Sequence, residues 1–147
     1  MHIAIGADQG GYELKQKIVE FLVEDHEVLD LGIHELKSID YPDIAEEVAN
    51  IVAAGEADRG IIICGTGIGV SITANKVSGI RAALCTDCYM ARMAREHNDA
   101  QILCLGGRVV GSGLALDIVQ VFLGSEFEGG RHARRVGKMN ALDNKEE

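Results

Sequence analysis

Hydrophobic positions along this chain follow two spacings in turn. Short, mostly β-branched runs at residues 2–5, 27–31, 60–64, 81–85 and 101–105 predict five strands. Between them, apolar residues recur every three or four positions, which predicts helices. The first helix covers 12–24 and places Leu14, Ile18, Phe21 and Leu22 on one face. The second opens at Pro42, a residue suited to a first helical turn, with Asp43, Glu46 and Glu47 supplying acid near its N-terminus. Ile44, Val48, Ile51 and Val52 form its apolar face, and Gly55 ends it. Further helices are expected at 71–76, 87–96, 112–123 and 131–142, the last carrying Val136, Met139 and Leu142. Residues 33–41 are polar and irregular, and the charged tail at 143–147 is expected to fray.

Strict alternation of strand and helix predicts an α/β fold: a single three-layer α/β/α domain over 1–147, built on a five-stranded parallel Rossmann-like sheet with right-handed crossovers. Ligands of such sheets bind beyond the carboxyl ends of the strands, near a switch in strand order. That rule gathers Asp8, residues 64–69, Asp87 and residues 106–108 onto one rim.

Composition narrows the function. The chain has 147 residues, 47% hydrophobic and 25% charged, so it can bury a core. A formal net charge of -9 argues against nucleic acid as a partner, because phosphate backbones need a basic footprint. A small phosphate ligand needs only a local cluster. No apolar run approaches the roughly 20 residues of a membrane helix. Met1 and His2 lead straight into a strand, so no secretory signal is expected and cytoplasm is the default. Reduced thiols are therefore expected at Cys64, Cys85, Cys88 and Cys104. Cys85 and Cys88 form a lone CxxC; with no second pair nearby, a coincidence of spacing is favoured over a redox or metal pair.

The densest chemistry lies at Cys64. A strand ends there, and Gly65-Thr66-Gly67-Ile68-Gly69 follows at once. Loop amides and a helix start favour negative charge beside the thiol, which suits a base or nucleophile and a developing oxyanion. The loop is a poor dinucleotide fingerprint, since Val70 stands where the third glycine belongs, although Asp87 lies at a suitable distance for a ribose contact. It is also no P-loop. Asp8 can face a ligand or cap the following helix, and position alone does not choose. His97 reads either as a cation at a helix C-terminus or as an acid–base group, and alone the former is favoured. Arg131 and Arg135 are four apart in the one basic cluster of an acidic chain, which suits a phosphate dianion.

Together these segments resemble the type B ribose-5-phosphate isomerases, whose relatives include allose-6-phosphate and galactose-6-phosphate isomerases. The resemblance spans nearly the whole chain. It rests on Ile5-Gly6-Ala7-Asp8, Asp40-Tyr41-Pro42, Ile63-Cys64-Gly65-Thr66-Gly67-Ile68-Gly69, Ala74-Asn75-Lys76, Gly79-Ile80-Arg81-Ala82, His97-Asn98-Asp99, Arg108-Val109-Val110-Gly111 and Gly129-Gly130-Arg131-His132 with Arg135.

It implies an aldose–ketose isomerisation with no metal and no organic cofactor. Cys64 would be the base that moves a proton between C2 and C1 through an enediolate. The backbone of Gly65, Gly67, Ile68 and Gly69 would hold the oxyanion, assisted by Thr66. His97 would open the furanose ring, with Asp8 in the same site. Asn98 would bind sugar hydroxyls, and Arg108, Arg131 and Arg135 the phosphate. The resemblance further implies a homodimer, or a tetramer, with shared sites, in which His97, Asn98 and Arg108 act on the neighbour's Cys64. One departure stands out. The family usually reads Asp-His after the first strand, whereas this chain has Asp8-Gln9. A histidine there contacts substrate and titrates; Gln9 does not titrate, which bears on affinity, pH profile and preferred sugar. Arg134 beside Arg135 is a smaller difference.

Overall fold

The computed structural model describes residues 1–144; residues 145–147, the end of the charged tail, lie outside the described residues. Five parallel strands form one sheet: β1 (His2–Ala7), β2 (Glu27–Gly32), β3 (Arg59–Cys64), β4 (Ala82–Leu84) and β5 (Ile102–Gly106). Their order is β2-β1-β3-β5-β4. The chain leaves β1 to one side for β2, then crosses to the other side for β3, so the switch in direction falls between β1 and β3. β5 inserts between β3 and the short edge strand β4.

Alternation along each strand feeds two cores, as a two-residue period requires. Ile3, Ile5, Ile61, Ile63, Leu103 and Leu105 pack under α1 (Tyr12–Leu22), α4 (Cys88–Glu96) and α5 (Ser112–Gly124). Ala4, Ile62, Cys64, Ile102 and Cys104 face α2 (Tyr41–Ala53) and α3 (Ile68–Ala74). The three layers expected from the sequence are present, and Cys64 belongs to the α2–α3 face.

Three details differ from the sequence expectation. The buried stripe of α1 runs through Leu14, Lys15, Ile18 and Leu22, so Phe21 falls on its flank and is exposed. Lys15 is fully buried, and its Nζ donates to Asp30 Oδ1 at 2.6 Å and to the Ile33 carbonyl at 2.8 Å. It clamps α1 to the end of β2 and to the first residue of the loop that follows. The last helix, α6 (Arg131–Asn140), stops short and yields to a 3₁₀ turn over Ala141–Asn144; Val136 is buried there, whereas Met139 and Leu142 are exposed. Arg81 at the base of β4 ties this region down, donating to Asn98 O, Asp99 O and Asn140 Oδ1. Finally, α3 begins at Ile68 rather than at Ser71.

The Lys15 clamp makes a directional prediction. Asp30→Ala strands a buried ammonium and should cost about 3 kcal/mol, whereas Lys15→Met removes the charge, keeps most of the volume, and should cost about 1 kcal/mol. Urea unfolding of both variants measures this, and a larger loss in Lys15→Met would contradict the clamp.

Candidate active site

The carboxyl ends of β1, β3 and β5 deliver three loops to one place. Asp8 N–H donates to the Ile63 carbonyl at 3.3 Å, Gly107 N–H to Cys64 O at 2.8 Å, and Arg108 N–H to Gly65 O at 3.0 Å. The loops touch through backbone. A Cβ on Gly107 would overlap the Gly10 carbonyl.

Cys64 sits at this junction, 5% exposed. The Gly67 N–H donates to its Sγ at 3.1 Å. Gly67 has φ +81°, and a Cβ there would come within 2.5 Å of Leu84 Cδ1, so only glycine turns this amide toward the sulfur. Thr66 Oγ1 accepts from Ile68 N–H at 3.2 Å and squares off the start of α3. Ile68 and Gly69 therefore lie in the first helical turn, where amides have no intrahelical acceptor. The Tyr41 ring packs over Gly69 in the space a Cβ would fill.

Asp8 is buried and does not cap α1. Gly11 holds the cap position, and Asp8 Oδ1 instead accepts from Gly10 N–H at 2.9 Å, shaping the loop. Gln9 Oε1 accepts from Ile39 N–H at 3.0 Å and so holds residues 33–40 against the rim. The Arg108 guanidinium lies over Gly65 of its own chain, its Nη1 3.1 Å from where a Cβ would stand. Arg108 thus belongs with this chain's Cys64, a correction to its expected grouping with His97 and Asn98. Beside these residues lies an open cleft of about 560 Å³, walled by Gln9, Gly10, Leu36, Lys37 and Arg108. Asp87 is spent otherwise: it caps α4, accepting from Met90 N–H at 2.8 Å.

The remaining site residues lie at the other end of the sheet. α4 runs back from the carboxyl end of β4, so His97 and Asn98 arrive near the amino ends, where Arg81 holds Asn98 O. Gly60 N–H bonds Gln101 O at that lower edge, while Cys64 pairs with Gly106 at the upper one. Some five residues of strand intervene, about 15 Å at 3.3 Å per residue. At the lower end the His97 ring stacks on His132 with centroids 4.0 Å apart and 10° between planes. Glu128 Oε2 lies 3.9 Å from His97 Nε2 and 3.5 Å from His132 Nε2. Burial, the stacked His97 and nearby Arg131 hold the His132 imidazole below its ordinary pKa. Arg131 and Arg135 are exposed on the same helix. One chain therefore brings together Asp8, Gln9, Cys64, Thr66 and Arg108, and separately His97, Asn98, Arg131 and Arg135.

Sequence reasoning missed Glu128 and His132 as neighbours of His97. Their spacing of four was the available signal. The CxxC pair is inert: Cys85 and Cys88 are free, and burial, with Asp87 adding to it, pushes the Cys85 thiol up to about 12. Full burial also raises Cys104 far above the ordinary thiol range.

A doubly wound α/β domain that presents an amide-bonded thiol at its switch point defines a class of small-molecule site. Comparison with known proteins specifies which. Residues 3–139 match the family model described as Ribose/Galactose Isomerase. The chain is 50% identical over 142 residues to ribose-5-phosphate isomerase B of Escherichia coli, covering 96% of this chain and 95% of that one. It superposes on ribose-5-phosphate isomerase B of Clostridium thermocellum with a TM-score of 0.96 at 61% identity, covering 97% of each chain. The Mycoplasma genitalium ribose-5-phosphate isomerase B, solved with bound ribulose 5-phosphate, gives 0.94 at 42% identity, covering 99% of this chain and 97% of that one. The protein belongs to the ribose/galactose isomerase family.

The raised thiols make a prediction. In the native protein at pH 8, iodoacetamide should leave Cys85 and Cys104 unmodified, because both remain protonated as well as buried. Peptide mapping by mass spectrometry checks this; labelling of Cys104 before unfolding would contradict it.

Proposed function

We propose that this protein interconverts D-ribose 5-phosphate and D-ribulose 5-phosphate through an enediolate, with Cys64 as the base. The observation that carries the reading is the Gly67 amide aimed at Cys64 Sγ at 3.1 Å, at the carboxyl end of the central strand β3. An amide so placed stabilises negative charge on sulfur. The Cys64 thiolate takes the proton from C2 of the open-chain aldose. The C–H electron pair becomes the C1–C2 double bond, and charge collects on O1. Backbone amides of the Gly65–Gly69 loop receive that charge, with Thr66 beside them. A proton then passes from O2 to O1, and the thiol returns its proton to C1, leaving the ketose.

The other half of the reaction comes from a second copy of the chain. In one chain His97 is the length of the sheet away from Cys64, so it serves a neighbour's thiol and not its own. We assign the partner's His97 to furanose opening by proton transfer at the ring oxygen, and the partner's Asn98 to the sugar hydroxyls. The partner's Arg131 and Arg135, with Arg108 from the Cys64 side, would clamp the phosphate. Held at the phosphate, the substrate presents C1 and C2 to the sulfur. Among the described residues no helix is long and apolar enough to cross a membrane.

Two experiments test this. Purified protein should turn over D-ribose 5-phosphate equally well with and without a chelator, and faster in kcat/KM than D-allose 6-phosphate. Cys64→Ala should lower kcat by roughly a thousandfold with little change in binding. A strong preference for the hexose would replace the substrate, and unchanged turnover in Cys64→Ala would remove the base. The second test mixes Cys64→Ala chains with His97→Asn chains after reversible dissociation. Half the dimers are then mixed, and each has one intact site, so about a quarter of wild-type activity should return. No recovery would place both groups in a single-chain site.

A further inference from the structure

We infer that His97, His132 and Glu128 form a binding site for a divalent transition-metal ion of the zinc class. The two imidazoles and the carboxylate turn one ligand atom each toward a common point, and those atoms lie within 4.8 Å of one another. The spacing is wrong for hydrogen bonding and right for coordination. At 3.5 Å and 3.9 Å from Glu128 Oε2, neither Nε2 makes a sound hydrogen bond. Tetrahedral bonds of about 2.0–2.2 Å set two ligand atoms about 3.3–3.6 Å apart, which His132 already meets and His97 meets after a shift of a few tenths of an ångström.

A second observation points the same way. His132 is 5% exposed, and its Nε2 is buried without a hydrogen-bond partner. A buried polar atom in that condition carries a cost that a ligand removes. Protonation is a poor remedy, because a second imidazole is stacked at 4.0 Å and Arg131 stands beside it. A neutral ring keeps its lone pair available to a metal. The scaffold is also fixed on two sides: Glu128 N–H bonds the Glu96 carbonyl at 3.0 Å, one residue before His97, and His132 N–H bonds Gly129 O at 3.0 Å.

Two nitrogens and one carboxylate oxygen suit zinc, nickel, cobalt or copper rather than magnesium or calcium. Three protein ligands leave a coordination position open to water or to a hydroxylated ligand. Arg131 and Arg135 oppose a cation, so the affinity should be micromolar and not that of a structural zinc. Binding would take the His97 lone pair out of service. That consequence rests on the proposed ring-opening role of His97; the binding itself does not.

The test uses chelator-stripped full-length protein titrated with Zn²⁺ in competition with a chromophoric chelator, and with Co²⁺ followed by absorption. One ion per chain is expected. Glu128→Gln, a half-exposed and near-isosteric change, and His132→Gln should each weaken binding at least about tenfold. Thermal melting establishes that each variant is folded. Cys64→Ala should bind zinc as wild type does, and the cobalt complex should lack a sulfur-to-metal charge-transfer band. Failure to bind below millimolar zinc, an unaltered affinity in Glu128→Gln, or loss of binding in Cys64→Ala would each overturn the site. Zinc should also stop turnover of D-ribose 5-phosphate, with recovery on adding chelator. Stoichiometric zinc with undiminished turnover would leave the metal site standing and overturn the role given to His97.

Discussion

The closeness of three backbones at the top of the sheet is the constraint from which the site follows. β1, β3 and β5 are adjacent, and their loops leave in the same direction, so the loops compete for one volume. They fit because the contacts are made by glycine: Gly107 against the Gly10 carbonyl, and Gly10 against the Gly65 amide. Any side chain at these contacts would push the loops apart. Only with the loops in register does Gly67 adopt its left-handed turn and point an N–H at Cys64. Packing, chirality and the electrostatics of one sulfur are thus a single arrangement, with the glycines as its cause.

The same topology divides the chemistry. In a parallel sheet each crossover helix returns the chain to the amino ends of the strands. A loop that follows a strand and a residue that ends a helix are therefore held at opposite edges. Cys64, Thr66 and Arg108 follow strands; His97 and Asn98 end α4. No local rearrangement closes a gap of about 15 Å across an intact sheet. A second copy supplies what the fold prevents one copy from supplying. α6 suits that arrangement, for it is rooted through Arg81 at the lower edge and leaves Arg131 and Arg135 exposed.

Much of this was legible in the chain, and the failures have identifiable causes. Strands β1, β2, β3 and β5 were readable because runs such as Ile61-Ile62-Ile63 are β-branched and buried on both faces. The start of α3 was not, because Gly67 and Gly69 read as loop, although one starts the helix and the other admits Tyr41. Lys15 was invisible as a core residue, since a lysine on a helix signals solvent until Asp30 and the Ile33 carbonyl are brought to it by β2. Asp87 looked like a ribose ligand by distance, but helix capping claimed it. The division of the site was available in principle, because the position of His97 at a helix end already placed it at the lower edge. The stack with His132 was not, for it depends on how residues 125–130 turn between α5 and α6.

Gln9 shows how one substitution redistributes a task. The resemblance places a titratable group at this position, close to the substrate. Here the side-chain carbonyl is occupied by the Ile39 amide, so Gln9 acts first as a strut for residues 33–40 and leaves its NH₂ group as the free end. A strut of this kind carries no charge at any pH. In the proposed reaction the positive charge facing a phosphate dianion therefore comes from arginines alone, which remain protonated across the physiological range. Binding of the phosphate end is accordingly decoupled from proton uptake by the enzyme at this position. The acid–base behaviour of turnover is left to the groups that handle protons on carbon and on the ring oxygen, Cys64 on one chain and His97 on the other.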